Sequence, residues 1–180
     1  MSKKRISFGL SETEIDRAIK EVAQFKEDFQ RKCNELLRRV AERLAKEAQQ
    51  GFDGAIVDDL TERSGSPKKA NVAVRVENRG DCFVVVAEGM DAVWVEFGAG
   101  VYHNAPAGTS PNPFAETATG VPNPPIAIGT FGVNGLKQAW GFYENGELKI
   151  THGTPAAMPM YNAVQTVSRE ITDIAREVFA

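Results

Sequence analysis

Few residues in this chain could do chemistry. There are two histidines, His103 and His152, and two cysteines, Cys33 and Cys82. One acid, Glu96, stands inside an apolar run, Val93-Trp94-Val95-Glu96-Phe97. The histidines are far apart and neither has an HxxxH, HxxE or CxxC companion, so a zinc site would have to recruit scattered carboxylates. No GxSxG elbow is present, and no cysteine adjoins a histidine. The cysteines read as two thiols of a reducing compartment. Asp58 and Asp59, with Glu62, sit in a loop pattern where adjacent acids point apart and are solvated. Gly98-Ala99-Gly100 follows the apolar run without the GK[ST] or GxGxxG that a phosphate cradle needs, so these glycines read as a sharp turn.

Glu96 is the most informative of these. A carboxylate buried in apolar surroundings needs a partner or shifts its pKa upward. The functional reading is a general base, with His103 and His152 converging on the same pocket. The plainer reading, which we favour, is an acid on the wet face of an edge strand or one paired with an arginine.

Basic residues cluster at Arg38, Arg39, Arg43 and Lys46, interleaved with Glu35, Glu42 and Glu47 at helical i, i+4 spacing. That pattern makes a solvated helix face. A second short cluster is Lys3-Lys4-Arg5. The net charge of −3 and pI of about 5.5 do not favour nucleic acid as a main partner. An accessory nucleic-acid role through these two clusters is the third reading.

The elements that must position these residues are legible. With 180 residues, 42% of them hydrophobic, the chain suits one domain with a real core. Ser11 to Gln50 carries Ile15, Ile19, Val22, Phe25, Phe29, Leu36, Val40 and Leu44 at helical spacing, with charges between them. Ser11 and Glu14 fit a capping box, and Gly51 looks like the stop. A helix this long is expected to project beyond the body and pack on a partner. Residues 52–69 lose periodicity and read as an irregular connection. Asn71–Val76 and Phe83–Ala87 flank a turn at Asn78–Gly80 and read as a hairpin. Asp91–Phe97 is a third strand or a short helix. Residues 101–137 hold most of the nine prolines and read as a long Pro/Gly-rich loop that orders against a neighbour. Gln138–Tyr143 and Glu147–Thr151 flank Asn145-Gly146, a strong hairpin signal. After a break at His152–Pro159, Met160–Phe179 closes the chain as an amphipathic helix. The fold class is α+β: an antiparallel sheet of two hairpins packed by a long N-terminal helix and a C-terminal helix. No run approaches the ~20 apolar residues of a membrane span, and the N-terminal residues lack the apolar core of a secretory leader. Synthesis in the cytoplasm is the expectation.

Three stretches carry a resemblance. Val93-Trp94-Val95-Glu96-Phe97-Gly98-Ala99-Gly100 resembles the YVEFGTG segment of the head–tail joining, or tail-completion, proteins of long-tailed bacteriophages. Thr151-His152-Gly153-Thr154-Pro155-Ala156-Ala157-Met158-Pro159-Met160-Tyr161-Asn162-Ala163 is similar to that family's G-x-PAQPFMYPAL block. Trp140-Gly141-Phe142-Tyr143-Glu144-Asn145-Gly146 is similar to its W-x-Y-x-D-E-N-G hairpin. Ala99 stands where the family usually has Thr, and Met158-Pro159 departs from its Gln-Pro-Phe. The resemblance runs in order from about Ile15 to Phe179. It implies a virion structural protein of the neck or tail, not a catalyst. Such a protein has no cofactor or metal and is assembled in the host bacterial cytoplasm. Its partners would be further copies of itself in a ring, and neighbouring connector or tail proteins. Within it, the glycines of the first block would shape a turn and Pro155–Met160 would seat the last helix. Contact candidates are Trp94 and Phe97 near the turn and Tyr102, Phe114 and Ile126 in the loop; the competing reading makes Trp94 and Phe97 plain core.

Overall fold

The computed structural model describes residues 9, 11–60, 63–99, 112–114 and 139–180, with only the backbone of Trp140. The chain is α+β. Helix α1 spans Glu12–Gly54 and helix α3 spans Pro159–Phe179. Between them lie β1 (Ile56–Asp58), β2 (Lys68–Lys69), β3 (Ala73–Asn78), β4 (Phe83–Glu88), the short helix α2 (Ala92–Phe97), β5 (Trp140–Glu144) and β6 (Glu147–Thr151).

Helix α1 has 43 residues, about 65 Å at 1.5 Å per residue. Two expectations about its ends fail. Ser11 and Glu14 do not form a reciprocal capping box: the Ser11 hydroxyl donates to Glu14 Oε2 at 2.6 Å, so the two side chains pair with each other. The N–H groups of Glu14 and Ile15 donate instead to the Ser11 carbonyl, at 3.1 and 3.0 Å. Gly51 does not stop the helix, which runs one turn further to Gly54. Its lack of a side chain serves packing: a Cβ there would lie 2.9 Å from Cβ of Pro159, at the start of α3.

Helix α3 runs antiparallel to α1. Gly51 meets Pro159 at one end, and Phe29 meets Phe179 at the other, ring centres 5.9 Å apart. Arg43 makes a two-pronged ion pair with Glu170 at 2.9 and 3.0 Å between them. With only 21 residues, α3 is about 32 Å long and covers the second half of α1. The first turns of α1, from Glu12 to Asp28, extend beyond it.

Both sequence-expected hairpins form, β3 with β4 and β5 with β6, each antiparallel. Asn145 and Gly146 take φ of 52° and 82°, the pair of left-handed positions a two-residue hairpin turn demands. In the first hairpin Gly80 takes positive φ, whereas Asn78 acts through its side chain, which accepts the Gly80 N–H at 2.9 Å. The hairpins do not merge: among the described residues the strands form three separate two-stranded ribbons. The third pairs β1 with β2 in the stretch expected to be irregular. Three strand residues and two are too few to show periodicity, so only the tertiary fold reveals this ribbon.

The core packs Phe52 and Ala55 of the α1 end against Val72, Ala92 and Val95, with Val57, Ala70, Val74, Ala87 and Met160 around them. Gln49 closes the edge of β3. Its amide donates to the Val72 carbonyl at 3.0 Å and accepts the Val74 N–H at 2.7 Å, mimicking a strand neighbour. The expected 101–137 loop lies outside the described residues except for Asn112–Phe114.

Candidate functional site

Asp91–Phe97 resolves as the helix α2, ending at Gly98 with φ 80°. A six-residue helix in this place turns Val95 and Glu96 inward and leaves Trp94 36% exposed. Glu96 is therefore not on the wet face of an edge strand, and among the described residues no arginine pairs with it. It is buried, and its carboxylate faces the first turn of α3. Oε2 accepts the Met160 N–H at 2.8 Å and Oε1 accepts the Tyr161 N–H at 3.0 Å. The Asn112 amide donates to Oε1 at 2.8 Å and to the Glu96 carbonyl at 3.3 Å.

These bonds complete the start of α3. A helix opens with unsatisfied N–H groups. Here Met158 precedes the helix in a left-handed conformation, φ 53°, with no side chain able to cap. Pro159 has no N–H to satisfy. The next two N–H groups go to Glu96, and the Met158 N–H reaches the Val95 carbonyl at 3.3 Å. A carboxylate is also favoured by the helix dipole at this end. Glu96 is a cap supplied from 64 residues away.

Residues 152–159, read as a break in the chain and, by the resemblance, from Pro155 on as the seat of the last helix, are bonded into the fold at several points. Asp59 N–H donates to the Gly153 carbonyl and His152 N–H to the Asp59 carbonyl, both at 2.9 Å. Ala99 and Thr154 exchange backbone bonds at 2.9 and 2.8 Å, and Ala157 N–H donates to the Val95 carbonyl at 2.9 Å. The Thr154 hydroxyl donates to the Val57 carbonyl. Buried Ser64 accepts the Ile150 N–H at 2.7 Å. Sequence reasoning missed Ser64, Gln49 and Thr154, because a polar residue's tertiary partner leaves no local pattern.

An apolar cleft of about 350 Å³ opens beside Glu96, lined among others by Phe97, Phe114, Met160, Tyr161 and Val164. Phe114 is 57% exposed and meets the Tyr161 ring edge-on at 5.8 Å. A second cleft, lined by Leu37, Val40, Phe83 and Val85, shares Met160 and Val164 with the first. A third shares Phe83 with the second and is walled by Arg31, Lys32, Arg38 and Arg39, with Glu35 and Glu177. Through these shared residues the three clefts follow one another beside β4 as a trough.

Of the contact candidates, Trp94 is exposed, Phe97 is half-buried at the cleft, and Phe114 is exposed at its rim. Tyr102 and Ile126 lie outside the described residues, as do His103, Glu62, Gly100 and Lys3-Lys4-Arg5. His152 is half-buried, and its N–H is bonded to Asp59 as described. Cys33 is half-buried and Cys82 exposed.

On the α1 face, Arg38 pairs with Glu35 at 2.9 Å and Glu42 at 2.6 Å, and Arg39 with Glu35 at 2.7 Å. Hydrogen bonds from Arg39 first, then Arg38, hold the Glu35 carboxyl below its usual range. Asp58 differs: burial pushes its pKa up, against the pull of Lys68 at 3.9 Å, and the charges of Glu144 and Asp91 push the same way as burial. Among the described residues, no group of three His, Cys, Asp or Glu is placed to hold a metal, and no helix is long and apolar enough to cross a membrane.

No protein-family model matches the chain, and no curated protein or solved structure is significantly similar to it.

Proposed function

We propose that this chain is a virion structural protein of a long-tailed phage or prophage, part of the head–tail junction or the tail end, acting by ring assembly rather than by catalysis. The observation that carries the assembly reading is the overhang of α1. Beyond the reach of α3 it presents Ile19, Val22 and Phe25 at 61%, 53% and 50% exposure, with Ile15 and Phe29 on the same stripe. A stripe of this kind, three to four residues apart over four turns, is the seam of a helix that packs on something. Ala18 on the same face is buried, but a lone chain leaves Ile19, Val22 and Phe25 beside it in water, and exposed apolar surface of this kind marks an interaction site.

The resemblance supplies the setting. The two stretches that carry most of it, around Glu96 and around Pro159, are the two that meet through the Glu96 cap. Segments so far apart in sequence share a resemblance for a common reason if they build one joint. Neighbouring connector or tail proteins are the remaining partners in this reading.

Two features weigh against the other readings. Glu96 spends its carboxylate oxygens on the α3 cap and Asn112, which argues against a general base. Arg38, Arg39 and Arg43 are already in ion pairs with glutamates, which argues against a nucleic-acid face.

Sedimentation velocity over a wide concentration range, with electron microscopy of the largest species, tests the proposal. Closed rings, or oligomers that grow with concentration, support it. A compact monomer throughout, also in the presence of connector and tail proteins of the virus encoding it, refutes it.

A further inference from the structure

Helix α1 is polarised in charge as well as in packing. From Glu12 to Asp28 it carries six acids and three bases. From Arg31 to Lys46 it carries six bases and two acids. The acidic third is the overhang with the exposed apolar stripe. The basic third walls one end of the trough; Arg38 and Arg39 there are paired with Glu35, Glu42 and Glu177, so its excess positive charge rests on Lys32 and on Arg31, whose exposed pair with Asp28 is long at 3.4 Å. The trough's floor is apolar, through Leu37, Phe83, Met160 and Val164. Each surface thus has what the other needs: a stripe of large apolar side chains flanked by acids, and an apolar groove edged by bases.

We propose that the trough receives the N-terminal third of α1, residues 12–29, from a second copy of this chain. This rests on the ring-assembly reading and names its contact. The exposed part of the stripe, Ile15, Ile19, Val22 and Phe25, lies on the trough floor, with Phe29 staying against Phe179 of its own chain, and the net negative charge of residues 12–28 faces the net positive end of the trough. The overhang is about 27 Å of helix, against about 17 Å for the part of β4 that lines the trough, Phe83 to Ala87. The two surfaces are different patches of the molecule. The contact is therefore head-to-tail, and repeating it around a rotation closes a ring. Complementary charge sets the register and suppresses the alternative of stripe on stripe, which would place acid against acid.

The test uses the full chain and two variants, Phe25→Glu on the overhang and Leu37→Glu on the trough. Both sites are close to half exposed, so circular dichroism is expected to show unchanged helix content. Each variant alone is expected to lower the association constant by about tenfold or more, the equivalent of one large apolar side chain withdrawn from an interface. Mixed together, the two are expected to form a complex of two chains and stop, because one intact overhang meets one intact trough. Added salt is expected to weaken wild-type association. Wild-type oligomers unaffected by either variant, or a mixture that forms no two-chain complex, would overturn this contact while leaving ring assembly standing. A wild-type monomer at every concentration would overturn the contact and self-assembly together.

Discussion

Replacing Glu96 by alanine removes the acceptor for the first turn of α3. The Met160 and Tyr161 N–H groups then face a cavity too apolar to satisfy them, and the Asn112 amide loses its carboxylate partner. Each stranded buried donor costs about 1–3 kcal/mol; these N–H groups are half-buried, so the low end applies. The lost charge–dipole attraction adds about 0.3–1 kcal/mol. The expected loss is about 3–4 kcal/mol, or roughly 10 °C in Tm for a domain of this size. Glu96→Gln keeps one acceptor oxygen but turns an NH2 toward a donor, so it is expected to lose about 2 kcal/mol by the same reasoning. Urea unfolding, followed by far-ultraviolet circular dichroism and by tryptophan fluorescence, measures both. A general base would behave in the opposite sense, since removing a carboxylate held for catalysis commonly stabilises a fold. Glu96→Ala within about 1 kcal/mol of wild type, or above it, would refute the cap argument.

Gly51→Ala gains about 1 kcal/mol of helix propensity but drives a Cβ to 2.9 Å from Pro159, so a net loss of up to about 2 kcal/mol is expected in the same urea assay. Asp58 has a raised pKa in the folded chain, so folding takes up protons there. Its contribution to stability is greatest while protonated and falls as pH rises from the ordinary carboxylate range through the raised value. Asp58→Asn is therefore expected to gain in Tm relative to wild type as pH rises from acid to neutral; a difference independent of pH would contradict the burial argument. Gly89→Ala is expected to fail or nearly fail to fold, because φ there is 152° and a Cβ would lie 2.4 Å from the Asn71 carbonyl oxygen; a soluble variant with wild-type Tm would show that this contact relaxes freely. Cys82 is expected to react with a thiol reagent well before Cys33, read from the two phases of labelling, since it is the exposed one.

Sequence alone determined what is periodic or local. The α1 stripe from Ile15 to Leu44, the Asn145-Gly146 turn and the apolar face of α3 each follow from one residue's relation to its near neighbours, and each appears as expected. The α+β class follows from their order. Tertiary structure decided what depends on partners distant in the chain. Gly51 looks like a helix stop until Pro159 is brought against it, and residues 56–69 look irregular because β1 and β2 are too short to show a period. Glu96 shows the division most clearly. Its sequence context leaves open a buried carboxylate that something must answer, but favours an acid on the wet face of an edge strand or one paired with an arginine. Only the fold, by bringing the uncapped, proline-led start of α3 to its carboxylate, decides that the answer is two backbone N–H groups. A helix terminus carries its unsatisfied donors wherever it goes, but no local pattern records which acid will meet them.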